Sequence, residues 1–140
     1  MRKQSITALI FMIIGLLSGL FYREYTKMTG FTGQTQLSTV HTHAFALGML
    51  FFLIVLALEA NFRLTHHKHY GKFFGFYVSG LSLSLIMQVV RGMMQVQNVS
   101  GNGAIPGLAG VGHILLTIGL GFFMKVLLDQ VKVFEGHPNT

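Results

Sequence analysis

"STVHTHAFALGMLFF", residues 38–52, sets His41 and His43 one residue apart at the head of an apolar run that continues to about residue 62. A bilayer is crossed by about 20 consecutive apolar residues, so this run is long enough to span one. Three more stretches match it, at about 5–22, 73–95 and 106–131. The reading is an all-α integral membrane four-helix bundle, a single domain over residues 1–140. The other spanning solution, a closed barrel, would show alternating strands of about 10 residues, and no such pattern is present. Composition agrees: 10% of residues are charged and 51% hydrophobic, where soluble domains carry about 25% charged residues.

The absence of cysteine excludes disulfides, thiolate metal sites, iron–sulfur clusters and covalently attached c-type haem. The net charge of +6 lies in loops flanking the apolar runs, which fits anionic lipid and membrane orientation rather than nucleic acid. The opening "MRKQSITALIFMIIGLLSGLFYREY" has a basic end and an apolar run. It has no small-x-small cleavage site before its polar boundary, so an uncleaved first span is expected. Gly15 and Gly19 form a G-x-x-x-G that lets two helix backbones approach closely.

Between the spans, 23–37 is rich in Thr and Gly and reads as a loop, with Ser38 or Thr39 as N-cap of the second helix. "RLTHHKHYGK" forms the middle loop and "NVSGNGAI" the last. Pro106 suits the first turn of the fourth helix, and "EGHPNT" is a polar tail. Seven lysines and arginines (Arg2, Lys3, Arg63, Lys68, Lys72, Lys125, Lys132) flank the spans on one side, and Arg23 and Lys27 on the other. By the positive-inside rule both termini are cytoplasmic.

That orientation lets depths be compared. His43 lies ~7 Å inside the outer end of its helix, His113 ~10 Å and Arg91 ~9 Å, at 1.5 Å per residue. Three helices therefore bring His43, His113 and Arg91 to one layer, with His41, Gln88, Gln95 and Tyr22 near it. Intramembrane ionisable residues mark function by default. An arginine there costs about 2.5–3.5 kcal/mol on insertion scales. Arg91 therefore pairs with Glu24, the only acid on the outer side, snorkels to the surface, or meets an anion such as a haem propionate.

Imidazole ligates iron, copper, zinc and nickel. Residues two apart sit about 200° apart around a helix, so His41 and His43 do not chelate one ion on a regular helix. They suit two sites, or one ligand and one structural ring. A planar haem needs one histidine per face, which the second helix and His113 could supply. Gly48, Gly110, Gly112, Gly119 and Gly121 offer room for a macrocycle, and Phe45, Phe51, Phe52 and Phe122 offer rings to pack it. His66, His67 and His69 read as a solvated basic loop near lipid, and Met93 and Met94 as packing. No P-loop, dinucleotide fingerprint, Ser-His-Asp pattern or H-E-x-x-H helix is present.

"HTHAFALGMLFF" and "GHILLTIGLGFF" (112–123) resemble two haem-ligating helices of haem–copper oxidase subunit I. The whole chain, including "FYREYTKMTGFTGQTQLSTVHTHAFALGMLFF", resembles a family of small four-helix bacterial membrane proteins of unassigned function. The first resemblance implies that His41 and His43 match its H-x-H ligand pair and His113 a ligand on a second helix. The oxidase's three copper histidines and linked tyrosine have no matching set here. Its three arcs of four helices imply a homotrimer for a four-helix chain, with a dimer equally simple.

The expected function is a multi-pass, haem-b-binding protein of the bacterial plasma membrane, with haem near the outer leaflet. His41, His43 and His113 are the candidate iron ligands, and Arg91 completes the cofactor site. Its work would be electron transfer, haem handling or binding of a diatomic gas. Expected partners are the bilayer, a redox protein or quinol, and further copies of the chain. The alternatives are a copper or zinc site on the same histidines, a small channel or transporter, or a structural subunit.

Overall fold

In the computed structural model, which describes residues 1–99 and 104–136, four long helices follow one another without any strand among the described residues. They are α1 (Arg2–Thr29), α2 (Leu37–Phe62), α3 (Tyr70–Val96) and α4 (Ala104–Gly136), each long and apolar enough to cross a membrane. The exterior supports that reading. Leu9, Leu16, Leu17 and Leu20 of α1 are 50–61% exposed, and only 17% of the most apolar window of α1 is buried. A water-soluble bundle does not leave so large an apolar surface uncovered.

α1 packs along α2, and α3 along α4. α2 and α3 then join the two hairpins through an aromatic core. Phe52, Phe73 and Tyr77 are fully buried, and Phe51 stacks on Tyr77 with ring centroids 4.3 Å apart. Close helix approach in a bilayer depends on small residues. A Cβ on Gly80 would stand 2.6 Å from the backbone nitrogen of Leu116, and one on Gly119 2.8 Å from the Tyr77 backbone. A Cβ on Gly112 would meet the Ser84 hydroxyl at 2.6 Å. These glycines bring α3 and α4 into backbone contact.

Three expectations are corrected. The loop expected over 23–37 is helical as far as Thr29. The Thr26 and Thr29 hydroxyls donate back to the Tyr22 and Tyr25 carbonyls at 2.8 and 2.9 Å, and the helix stops at Gly30 with φ 65°. Neither Ser38 nor Thr39 caps α2: their hydroxyls donate to the Thr35 and Gln36 carbonyls. The start of α2 is instead docked on α3. Thr35 Oγ1 donates to the Gly92 carbonyl (2.8 Å) and the Gln36 N–H donates to Gln95 Oε1 (2.8 Å). Last, the glycines at 48, 112 and 119 hold no room for a macrocycle. Gly48 takes the Phe11 ring, and Gly112 and Gly119 take α3. Of the loop "NVSGNGAI" and the tail "EGHPNT", residues 100–103 and 137–140 lie outside the described residues.

One departure from regular helix falls directly after His43. Residues Ala44–Leu50 form a π-helical stretch, in which the Phe51 N–H reaches the Ala46 carbonyl five residues back. The Leu47 carbonyl in this stretch accepts the Tyr77 hydroxyl at 2.9 Å, a tie from α2 to α3. Such stretches inside α-helices are frequent at functional sites.

Candidate functional site

Residue 36, which caps α2, shares a helix face with 39 and 43, as do 84, 88 and 91 on α3 and 105, 109 and 113 on α4, because residues three, four and seven apart align. The three faces converge on a cavity of about 330 Å³ whose lining includes His43, Ser84, Gln88, Arg91 and His113. Gln36 and Thr39 close one side of it and also line a neighbouring polar cavity of about 470 Å³ with Tyr22, Gln34 and Gln95. The second cavity is a vestibule on the end of the bundle that carries the α1–α2 loop.

The two histidines are held alike. His43 Nδ1 lies 2.9 Å from the Thr39 carbonyl and His113 Nδ1 lies 2.8 Å from the Ala109 carbonyl, each four residues back. A carbonyl only accepts, so each Nδ1 carries the proton. In the neutral ring Nε2 then carries the lone pair. This is the arrangement by which metal-ligating histidines have their tautomer and ring orientation fixed.

Arg91 is exposed in the cavity wall and makes no ion pair among the described residues. Pairing with Glu24 does not occur, because that carboxylate sits 3.6 Å from Arg23 on its own helix. No acid lines the cavity, so its field favours an anion. Two further polar atoms are buried there without hydrogen-bond partners among the described residues: Ser84 Oγ, on a residue 3% exposed, and Gln88 Oε1. A buried polar group without a partner costs about 1–3 kcal/mol, a cost that a bound polar ligand removes.

The chain belongs to the DUF2871 family. The family, described as "Protein of unknown function (DUF2871)", matches residues 1–130, nearly the whole chain. No curated protein and no solved structure matches the chain. The comparisons show no likeness to haem–copper oxidase subunit I.

His41 stands apart from the other candidates. Its Cβ packs 3.7 Å from where a Cβ on Gly19 would be, so it faces α1, and its Nδ1 is buried without a partner among the described residues. Among the described residues no three His, Cys, Asp or Glu side chains gather as a metal-holding group. The G-x-x-x-G of α1 is likewise used inside the chain, with Gly15 against the Phe45 ring and Gly19 against His41. In the middle loop His67 Nε2 meets Asp129 at 3.2 Å, and Lys125 joins the same oxygen at 3.3 Å.

Ser84, Gln36 and Thr39 escaped the reading by sequence. A signal for Ser84 was present, since it stands four residues before Gln88 and seven before Arg91 on one helix face. Gln36 and Thr39 belong to a segment read as loop and cap, where helical spacing is not counted.

Proposed function

We propose that this DUF2871 chain is a membrane haem-b-binding protein in which His43 and His113 are the iron ligands and Arg91 receives a propionate. The observation that carries the reading is the matched pair of pinned rings. Two histidines on different helices each have Nδ1 engaged by a backbone carbonyl, and both line one cavity with an arginine that makes no ion pair among the described residues. The donor set fits the group: the His43 and His113 rings would hold the iron and the Arg91 guanidinium would take a carboxylate. The cavity, about 330 Å³, is smaller than a whole porphyrin, so part of the macrocycle would lie outside it against lipid. A bound haem supplies one-electron and diatomic-gas chemistry. The chain's own part is to fix the ring tautomers, neutralise the propionate and keep acids out of the site.

In this reading the four helices span the bacterial plasma membrane with both termini in the cytoplasm, and the vestibule opens outward. A redox protein or quinol is the electron partner, and a second or third copy of the chain covers part of the exposed apolar surface. A copper or zinc site ranks lower, since His41 turns away and two histidines alone make a poor cage for either ion.

The test is the visible spectrum of purified protein, oxidised and reduced, from cells with ample haem. A Soret band lost in His43→Ala and in His113→Ala supports the proposal. A colourless wild-type protein refutes it, and elemental analysis for copper and zinc then decides the alternative.

A further inference from the structure

At the opposite end of the bundle, we infer a second binding site, built on Arg63, for the phosphate of an anionic phospholipid. The inference rests on the membrane reading of the four helices and is independent of the histidine cavity. α2 ends at Phe62, and Arg63 follows in the left-handed region with φ 50° and ψ 48°. Helices commonly end on such a residue, and it is usually glycine because a Cβ is strained there. α1 obeys that rule with Gly30 at φ 65°. At the end of α2 the chain accepts the strain and sets an arginine there.

Arg63 lines a cavity of about 540 Å³ between the ends of α2 and α4. The polar part of the lining is Arg63, His66, Asn61 and Gln130, and the apolar part includes Phe62 and Phe134, whose rings meet edge to face at 5.3 Å. No acid lines the cavity, and Arg63 makes no ion pair among the described residues. Glu59, the acid four residues before it, is engaged elsewhere: its carboxylate accepts the N–H and the hydroxyl of Thr65.

A half-polar, half-apolar cavity at the ends of two spanning helices matches an amphiphile. The guanidinium suits a phosphate fork, and the phenylalanines suit the upper acyl chain. With Arg63 and His66 in the lining and no carboxylate there among the described residues, the cavity favours an anionic headgroup over a zwitterionic one. Basic pockets between spanning helices are where anionic headgroups bind.

The test measures melting temperature of the full chain in neutral detergent, with added phosphatidylglycerol, phosphatidylcholine or soluble glycerol phosphate. Phosphatidylglycerol is expected to raise the midpoint and the other two to leave it unchanged. Arg63→Gly is expected to lose that response while melting no lower than wild type without lipid, because glycine relieves the left-handed strain. Arg63→Asn, which tolerates this conformation without charge, should behave the same way. Three results overturn the inference: a retained phosphatidylglycerol response in both variants, an equal response to phosphatidylcholine, or a lower midpoint of Arg63→Gly without lipid, which marks the arginine as structural. An equal response to glycerol phosphate overturns the lipid as source and leaves a free phosphate site. The Soret spectrum of Arg63→Gly should equal that of wild type, so failure here and failure of the haem proposal are separately visible.

Discussion

His41 and His43 differ in what stands behind them. His43 has its Nδ1 held by the Thr39 carbonyl and faces the cavity with His113, whereas His41 packs against Gly19 of α1. Counting 100° per residue separated the two faces but could not say which one meets α4, because that depends on how α2 docks. The expected outcome is that His43→Ala and His113→Ala each abolish the Soret band and His41→Ala retains it. A spectrum lost only in His41→Ala would assign the ligand to the other face. Arg91→Gln should weaken haem binding roughly tenfold or more, since hydrogen bonds to charged groups contribute about 1.5–3 kcal/mol; a haem titration of the apoprotein reads this. His69, outside the spans, has a different part. Its partly desolvated ring, with Lys68, Lys72, His67 and Lys125 around it, has a pKa below the ordinary histidine value. The folded state therefore binds fewer protons than the unfolded chain as pH falls. Its contribution to stability is full above about pH 6.5 and is lost as pH drops through that value toward the folded pKa. His69→Asn should flatten the acid side of the melting-temperature profile in detergent. An unchanged slope would show that another group sets it.

At the scale of elements, the decisive packing is glycine against backbone between α3 and α4. Gly112→Ala would press on the Ser84 hydroxyl and Gly80→Ala on the Leu116 nitrogen. Overpacking of this kind costs about 1–3 kcal/mol. Gly112→Ala should also shift His113 relative to Arg91, so a lower melting midpoint with a displaced Soret maximum is expected. Gly121→Ala, with nothing near its would-be Cβ, is the control that should change neither. The glycines themselves were legible in the sequence, and so were the four apolar runs, because both depend on local composition. Which glycine meets which neighbour was not, since a glycine carries no mark of the residue that fills its notch. Gly48 was read as room for a macrocycle and is occupied by Phe11. The π-helical stretch was equally hidden: counting on a straight helix assumes i→i+4 bonding, and only the docked Tyr77 and Phe11 reveal where the count slips. Depth counting still brought His43, Arg91 and His113 to one level, because 1.5 Å per residue holds whatever a helix packs against.

For the whole molecule, the two candidate sites lie at opposite ends. The histidine cavity and its vestibule are at the end with the α1–α2 loop, and the Arg63 cavity is at the end with the α2–α3 loop. Which end faces the cytoplasm then decides whether the cavity trades with the outside or the inside of the cell. In the proposed orientation Arg63, Lys68 and Lys72 lie within, where anionic headgroups create a negative surface potential. The chain has no cysteine, so single cysteines can report sidedness without a background. Gln34→Cys, in the vestibule, is expected to react with a membrane-impermeant maleimide in intact cells. Lys68→Cys is expected to react only after the membrane is opened. The reverse pattern would turn the bundle over and assign the histidine cavity to the cytoplasmic leaflet. Labelling of both in intact cells would break the bundle reading itself, since the α2–α3 loop and the α1–α2 loop lie at opposite ends of a helix of 26 residues. That helix is about 39 Å long at 1.5 Å per residue, longer than the roughly 30 Å hydrocarbon core, so one reagent cannot reach both ends from one side.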